Sequence, residues 1–230
     1  MTARPAAGGG RWVTVAPERV ERWAGGFAAR HGGAEAIATP DLVRLTAADG
    51  AVAELHVPFP PLTLGEATGH PLPGEGPERA AGQVAALAAH ARRDRLVGVL
   101  LVRLGGYAAG VFDGERLVTS KVGSRQVHGR SAAGGWSQQR FARRREKQSA
   151  EALEAAADVA ARVLLPYADE LEAVVLGGDR RAIDGVRRDR RLAPLLALER
   201  PPFLTVPDPR LAVLREAPAT FRAVRVRVVG

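Results

Sequence analysis

One stretch of this 230-residue chain, residues 126–148, holds the side chains best suited to chemistry: QVHGRSAAGGWSQQRFARRREKQ. Its first half, with Gly129, Ala132, Ala133, Gly134 and Gly135, is a run of small residues, and the glycines add backbone freedom at positive φ. A backbone of that kind can approach a substrate closely. Ser137, Gln138 and Gln139 follow at an expected helix start, where the first N–H groups lack intrahelical partners and favour anionic groups. Arg140, Arg143, Arg144, Arg145 and Lys147 come next, and guanidinium groups hold phosphates in bidentate fashion. Trp136 offers a ring for stacking on a nucleobase or ribose, and Arg130 adds a cation ahead of the glycines. Taken singly each residue has an ordinary reading: the glycines end a loop, Trp136 anchors a core, and the glutamines are first-turn residues.

Charge narrows the choice. The chain carries a formal net charge of +8. Residues 116–147 hold nine basic side chains against one acid, Glu146, so this window accounts for the whole excess. A local basic patch of this kind suits phosphate, although blocks of like charge are also found as solvated faces. The absence of cysteine excludes disulfides, thiolate nucleophiles and Cys-type zinc sites. Five scattered histidines restore none of these, and no metal or cofactor is expected. Hydrophobic residues make up 46%, yet no run approaches the ~20 apolar residues of a membrane-spanning helix. No secretion signal is read in residues 1–10, so a soluble, cytoplasmic protein is expected.

The elements that must position this stretch follow from periodicity. Residues 17–30 have helical spacing through Val20, Trp23 and Phe27, and residues 42–57 read as two strands around an Asp49-Gly50 turn. Residues 1–57 are therefore expected to form a small α+β unit. Residues 58–78, rich in Pro and Gly, read as a linker, and residues 79–230 as the main domain. Within it the pattern predicts an alanine-rich helix over 78–92, a buried strand over 96–104, and a hairpin turning at Asp113-Gly114. A long helix is expected from about Ser137 to Leu165, stopped by Pro166. Phe141, Gln148, Ala152, Ala155, Val159 and Val163 lie on its core face, with the arginines on an adjoining arc. A strand over 171–176, an N-cap at Asp179, a short helix over 180–188 and a closing strand over 221–229 complete an α/β layered domain.

The combination of His128-Gly129-Arg130, Gly134-Gly135 and Arg140-Phe141-Ala142-Arg143 resembles the loop and helix of the central domain of eukaryotic and archaeal class-I release factors. In that family a Gly-Gly-Gln motif enters the peptidyl-transferase centre. Aligned back from Arg140 without a gap, the glycines match but Trp136 stands at the glutamine position, and the nearest glutamine is Gln138. A Gly-Gly-Ser-Gln form resembles the release-factor-like peptidyl-tRNA hydrolases of ribosome quality control, and GGWSQQRFARRR is similar to their actinobacterial, VLRF-type branch. The resemblance runs over roughly residues 96–230, with VVLGGDRRAI matching a strand, glycine turn and helix. It implies a release-factor central-domain-like, RNase-H-like fold: a layered mixed sheet with helices.

The same resemblance implies hydrolysis of the ester of peptidyl-tRNA, with Gln138, Gly134 and Gly135 as the catalytic group and Gln139 as the alternative glutamine. Arg130, Trp136, Ser137, Gln139, Arg140, Arg143, Arg144, Arg145 and Lys147 would bind tRNA, ribosomal RNA and the large ribosomal subunit. No codon-reading motif is found in the first third, which points to rescue of stalled ribosomes or split large subunits. Two rival readings remain at this point. One is a catalytically inactive RNA- or ribosome-binding factor, favoured by Trp136 at the expected glutamine position. The other is a metal-dependent nuclease, for which Asp113, Asp158 and Asp179 are too dispersed in sequence to define a cluster.

Overall fold

A computed structural model describes residues 3–6, 9–63, 76–103, 105–124 and 137–230, with the backbone alone at residues 3, 4 and 137–147. The chain forms two compact units, residues 1–93 together with 222–230, and residues 94–221. Among the described residues no helix is long and apolar enough to cross a membrane.

The first unit contains β1 (Ala3–Pro5), β2 (Arg11–Val15), α1 (Val20–Arg30), β3 (Ala34–Ala38), β4 (Leu42–Ala47), β5 (Val52–His56) and α2 (Gly76–Arg92). The last strand in the chain, Val224–Val229 (β10), completes it. The sheet is antiparallel in the order β1-β2-β10-β5-β4-β3. Alternation decides which face is covered: Val13, Val15, Val43, Leu45, Ala53, Leu55, Val224 and Val226 are buried, and their strand neighbours point the other way. Val20, Ala24 and Phe27 of α1, with Val84, Leu87 and Ala91 of α2, join them in one core.

This division differs from the boundaries expected from sequence. The alanine-rich helix and the closing strand belong to the first unit, because the stripe Ala80, Val84, Leu87, Ala91 and the alternating Val224, Val226 complete its core. The start of the expected linker is also packed: Pro58, Phe59 and Leu62 are buried. The Leu62 amide donates to Pro40 O at 2.7 Å, and the His90 ring lies 3.0 Å from Pro58 O. Residues 64–75 of that segment lie outside the described residues.

The second unit contains β6 (Leu96–Arg103), β7 (Gly106–Asp113), β8 (Arg116–Ser124), α3 (Ser137–Leu164), β9 (Ala173–Gly178), α4 (Arg180–Val186), α5 (Ala193–Ala197), α6 (Leu211–Arg215) and α7 (Pro218–Phe221). Its sheet is mixed, in the order β8-β7-β6-β9, with β6 and β9 parallel and the other pairs antiparallel. Two parallel bridges, Val174 with Glu199 and Gly177 with Leu204, extend it past β9. The fold is thus the layered mixed sheet with helices that was expected. Both faces are covered, so β6 and β9 are apolar almost throughout. On one face Leu100, Val102, Ala109 and Val111 meet α3 and α4. On the other, Phe112 meets Phe221 edge-on at 6.0 Å.

Two details differ from the sequence expectation. The hairpin turns at Gly114-Glu115, one residue later than expected, because Asp113 pairs with Arg116 and Gly114 takes φ 61° at the first turn position. In α3 the stripe that packs is Ala152, Ala156, Val159, Ala160 and Val163. Ala155 is only partly buried and Gln148 likewise, since fully buried Ala156 and Ala160 set the side of the helix that faces the sheet.

The turn after β9 is fixed by contact. Gly178 has φ 102°, and a Cβ there would lie 2.1 Å from Val102 O, the oxygen that accepts the Asp179 amide at 2.8 Å. Gly178→Ala is expected to destabilise the second unit by about 2–4 kcal/mol, through the left-handed backbone and the backbone collision together. Urea unfolding of the two proteins measures it; an unchanged midpoint would show that the turn relaxes freely.

Candidate nucleic-acid interface

In the chain, the segment singled out in the sequence runs from the end of β8 into α3. β8 ends at Ser124, in register with Gly106 of β7, which in turn pairs with Arg103 at the end of β6; β9 ends at Gly178, beside Val102. The chain therefore enters residues 125–136 from the end of the sheet where β6, β8 and β9 finish. β9 begins at the opposite end, with Ala173 beside Val97, so α3 must descend from the first end to the second. Leu164, its last residue, accordingly sits 3.5 Å from where a Cβ on Gly98 would lie, near the start of β6.

Length then has a consequence. The 28 residues of α3 span about 42 Å at 1.5 Å per residue. The eight residues of β6 span about 26 Å. Among the described side chains the first buried one in α3 is Ala152, and the first turn, with Gln138 and Gln139, lies about 20 Å from it along the helix axis. Ser137 is the first helical residue, and Gln138 and Gln139 fall in the first turn. Positions 140, 143, 144 and 147 share one arc of the helix. At the contact with the sheet, Ala156 and Ala160 take the place expected for Ala155. Arg130, Gly134, Gly135 and Trp136 lie outside the described residues, and so do the side chains of residues 137–147, Phe141 among them.

The packed half of α3 is secured from two sides. A Cβ on Gly185 of α4 would meet Leu153 at 2.5 Å, so the glycine lets the two helices touch. Arg191 donates to Asp158 of α3 at 2.7 Å and to Asp189 at 2.6 Å, while the Asp189 carboxylate accepts the Arg191 amide at 2.9 Å. The Arg191 side chain, then its backbone N–H, holds the Asp189 carboxyl below its ordinary value. A depressed folded value means that this clamp contributes fully at neutral pH and is lost as pH falls through that value.

Where the chain leaves β8, a cleft of about 420 Å³ is lined by Gly106, Gly123, Ser124, Asp208 and Arg210, among others. Gly123 exists for the Tyr107 ring, since a Cβ would stand 2.4 Å from it. Arg103 reaches across this end of the sheet, donating to Val206 O at 2.8 Å. On the β9 side, Arg180 stacks on Phe203 at 4.3 Å in a larger cleft of about 600 Å³. Sequence reasoning missed Arg103, Tyr107, Arg180 and Phe203. Phe203 lies in a Pro-rich segment without periodicity, and only the fold brings Arg180 to it.

The acidic residues weighed for metal chemistry are engaged separately. Asp113 accepts from Arg116 at 2.6 Å in the hairpin, Asp158 pairs with Arg191, and Asp179 caps α4 by accepting the Arg181 amide at 2.8 Å. Among the described residues no group of three or more His, Asp or Glu could hold a metal ion. Gly177 and Gly178 are explained by close approach to Leu204 and Val102.

Among solved structures, the chain is similar to an archaeal translation termination factor, aRF1, at 18% identity over 55% of this chain and 36% of that one, with a TM-score of 0.40. It is similar to the Vms1 mitochondrial localization core at 10% identity, covering 93% of this chain and 82% of that one, TM-score 0.38. Dom34 of S. cerevisiae, a translation termination-like factor, matches at 10% identity over 94% and 66%, TM-score 0.33. The chain thus spans little more than a third of the archaeal factor's length. No curated protein matches the sequence. A family model matches residues 95–227, more than half of the chain and nearly all of the second unit. By that match the chain belongs to the Actinobacteria/chloroflexi VLRF1 release factor family.

Proposed function

We propose that this protein hydrolyses the ester of peptidyl-tRNA independently of a codon, on stalled ribosomes or split large subunits, releasing the nascent chain. The observation that carries the reading is the family match over residues 95–227 joined to one geometric fact: Gln138 stands in the first turn of a helix that overshoots its own sheet. A helix start delivered in that way suits a deep and narrow catalytic centre.

In this mechanism water attacks the carbonyl carbon of the ester joining peptide to the terminal ribose. The tetrahedral intermediate collapses with the ribose oxygen leaving as a hydroxyl, and the peptide leaves with a free carboxyl group. Gly134 and Gly135 let the backbone approach the ester. The Gln138 N–H faces the developing oxyanion, and its side chain positions the water. One such donor is commonly worth about 10²- to 10³-fold in rate. Arg130, Arg140, Arg143, Arg144, Arg145 and Lys147 hold phosphates of tRNA and ribosomal RNA, with Trp136, Ser137 and Gln139 completing the contact surface. These groups supply affinity, and the large ribosomal subunit supplies the remainder of the site. The reading needs no metal or cofactor. Trp136 at the position where the family of class-I release factors has glutamine favours a second reading, a docking factor without hydrolysis.

Purified large subunits carrying labelled peptidyl-tRNA separate the two. Gln138→Ala is expected to lower release about 10²-fold or more while binding persists, and Gln139→Ala to retain most activity, since one residue along a helix turns the side chain by about 100°. Unimpaired release by both single variants and the double variant would refute a glutamine mechanism; a native protein that binds and never releases peptide would establish the docking factor.

Arg143→Ala with Arg144→Ala should weaken subunit binding and flatten its salt dependence, each lost phosphate contact lowering the slope by about 0.7–0.9. The release rate at saturation should change far less. An unchanged slope would mean that this arc of α3 is a solvated face.

A further inference from the structure

The family match begins at residue 95 and leaves most of the first unit without an assigned role. Its sheet has a second face. Strand alternation turns Trp12, Thr14, Arg44, Glu54, His56, Arg225 and Arg227 away from the core formed with α1 and α2. The register aligns five of the outward positions in a row from β2 to β3: Trp12, Arg227, Glu54, Arg44 and Ile37. A second row, about 7 Å along the strands, runs Thr14, Arg225, His56 and Leu42.

These positions are chemically biased. The Trp12 and His56 rings lie 5.1 Å apart and tilted, and the Arg225 guanidinium sits 4.4 Å from the Trp12 ring centre. Arg225 is exposed and, among the described residues, has no carboxylate partner. Glu54 accepts from Arg44 at 2.8 Å and lies 3.5 Å from Arg227, so its charge is already met from both sides. Burial, then the Arg225 charge, holds the His56 pKa below its ordinary value. Its Nε2 is buried without a hydrogen-bond partner among the described residues. Ile37, 68% exposed, closes the row on the β3 edge.

Flat rings flanked by guanidinium groups are what unpaired bases and their phosphates require: rings accept base stacking, and arginines meet the backbone. A duplex would hide its base faces from such a surface, and an acidic peptide would use the arginines and leave the rings idle. We propose that the open face of the first unit's sheet binds single-stranded RNA, with bases stacked on Trp12 and His56 and phosphates held by Arg225, Arg44 and Arg227. The proposal does not depend on the hydrolytic reading.

The test uses the whole chain with a fluorescein-labelled single-stranded RNA ten-mer, read by anisotropy across a salt series, and a 4-thiouridine version of the same RNA for photo-crosslinking. Trp12→Ala and Arg225→Ala are each expected to weaken binding about tenfold, base stacking and single phosphate contacts being of that order. Trp12→Phe should stay within a few-fold of the unmodified protein, because a stacking ring is retained. Crosslinks should map to peptides of β2, β5 or β10. These three variants and the parent are compared by circular dichroism with a further Arg225→Lys protein, which keeps charge without the stacked guanidinium and should bind between parent and Arg225→Ala. Crosslinks confined to residues 137–147, or full affinity in both alanine variants, would overturn the proposal. So would duplex RNA or polyglutamate competing as well as the single strand, the first showing phosphate contact alone and the second an acidic protein partner.

Discussion

The contact on which the second unit depends is the packing of a 28-residue helix against a sheet little more than half its length. Among the described side chains its buried part runs from Ala152 to Leu164, and it packs through small residues: Ala156 and Ala160 are fully buried, allowing helix and sheet to approach closely. Val159, Val163 and Leu164 add burial worth roughly 1.5–3 kcal/mol each. One packed segment thus sets both the direction and the reach of the turns that carry the glutamines and arginines.

Several local features serve that contact. Gly185 is small so that α4 can touch Leu153, and Arg191 joins α3 to the segment after α4 through Asp158 and Asp189. Gly98 gives room to Leu171 and Val174, and Gly178 to the Val102 carbonyl, at the two ends of β6. These glycines and the arginine clamp do no chemistry themselves. They keep the helix from rotating or sliding, either of which would redirect its first turn.

The first unit solves a different problem. Its sheet buries one face under two helices and leaves the other open, as an antiparallel sheet can. β10, from the extreme end of the chain, lies between β2 and β5, so the sheet is complete only when residues 224–229 have arrived. Arg225 and Arg227 reach the open face by that route, beside Trp12, Glu54 and His56. The basic character of this face is therefore assembled from segments more than 150 residues apart in sequence.

Much was legible in the sequence alone. Periodicity located α1, α2, β4 to β9, α3 and α4 to within a few residues, and Asp179 was readable as an N-cap, because those signals are local: spacing of apolar residues, turn glycines, a capping carboxylate. The residues proposed for catalysis were likewise named from sequence, by a motif that is contiguous. The short edge strands β1 and β3 carried too few residues for a pattern, and β2 was passed over beside a glycine run. What only the tertiary structure decided was membership and orientation. Helix α2 and strand β10 read as parts of the main domain until their apolar stripes were seen to complete the other core. The packed stripe of α3 shifted from Ala155 to Ala156. A stripe of alanines gives periodicity little contrast, so the side of the helix that is buried was settled by the partner surface and could not be read from the helix itself.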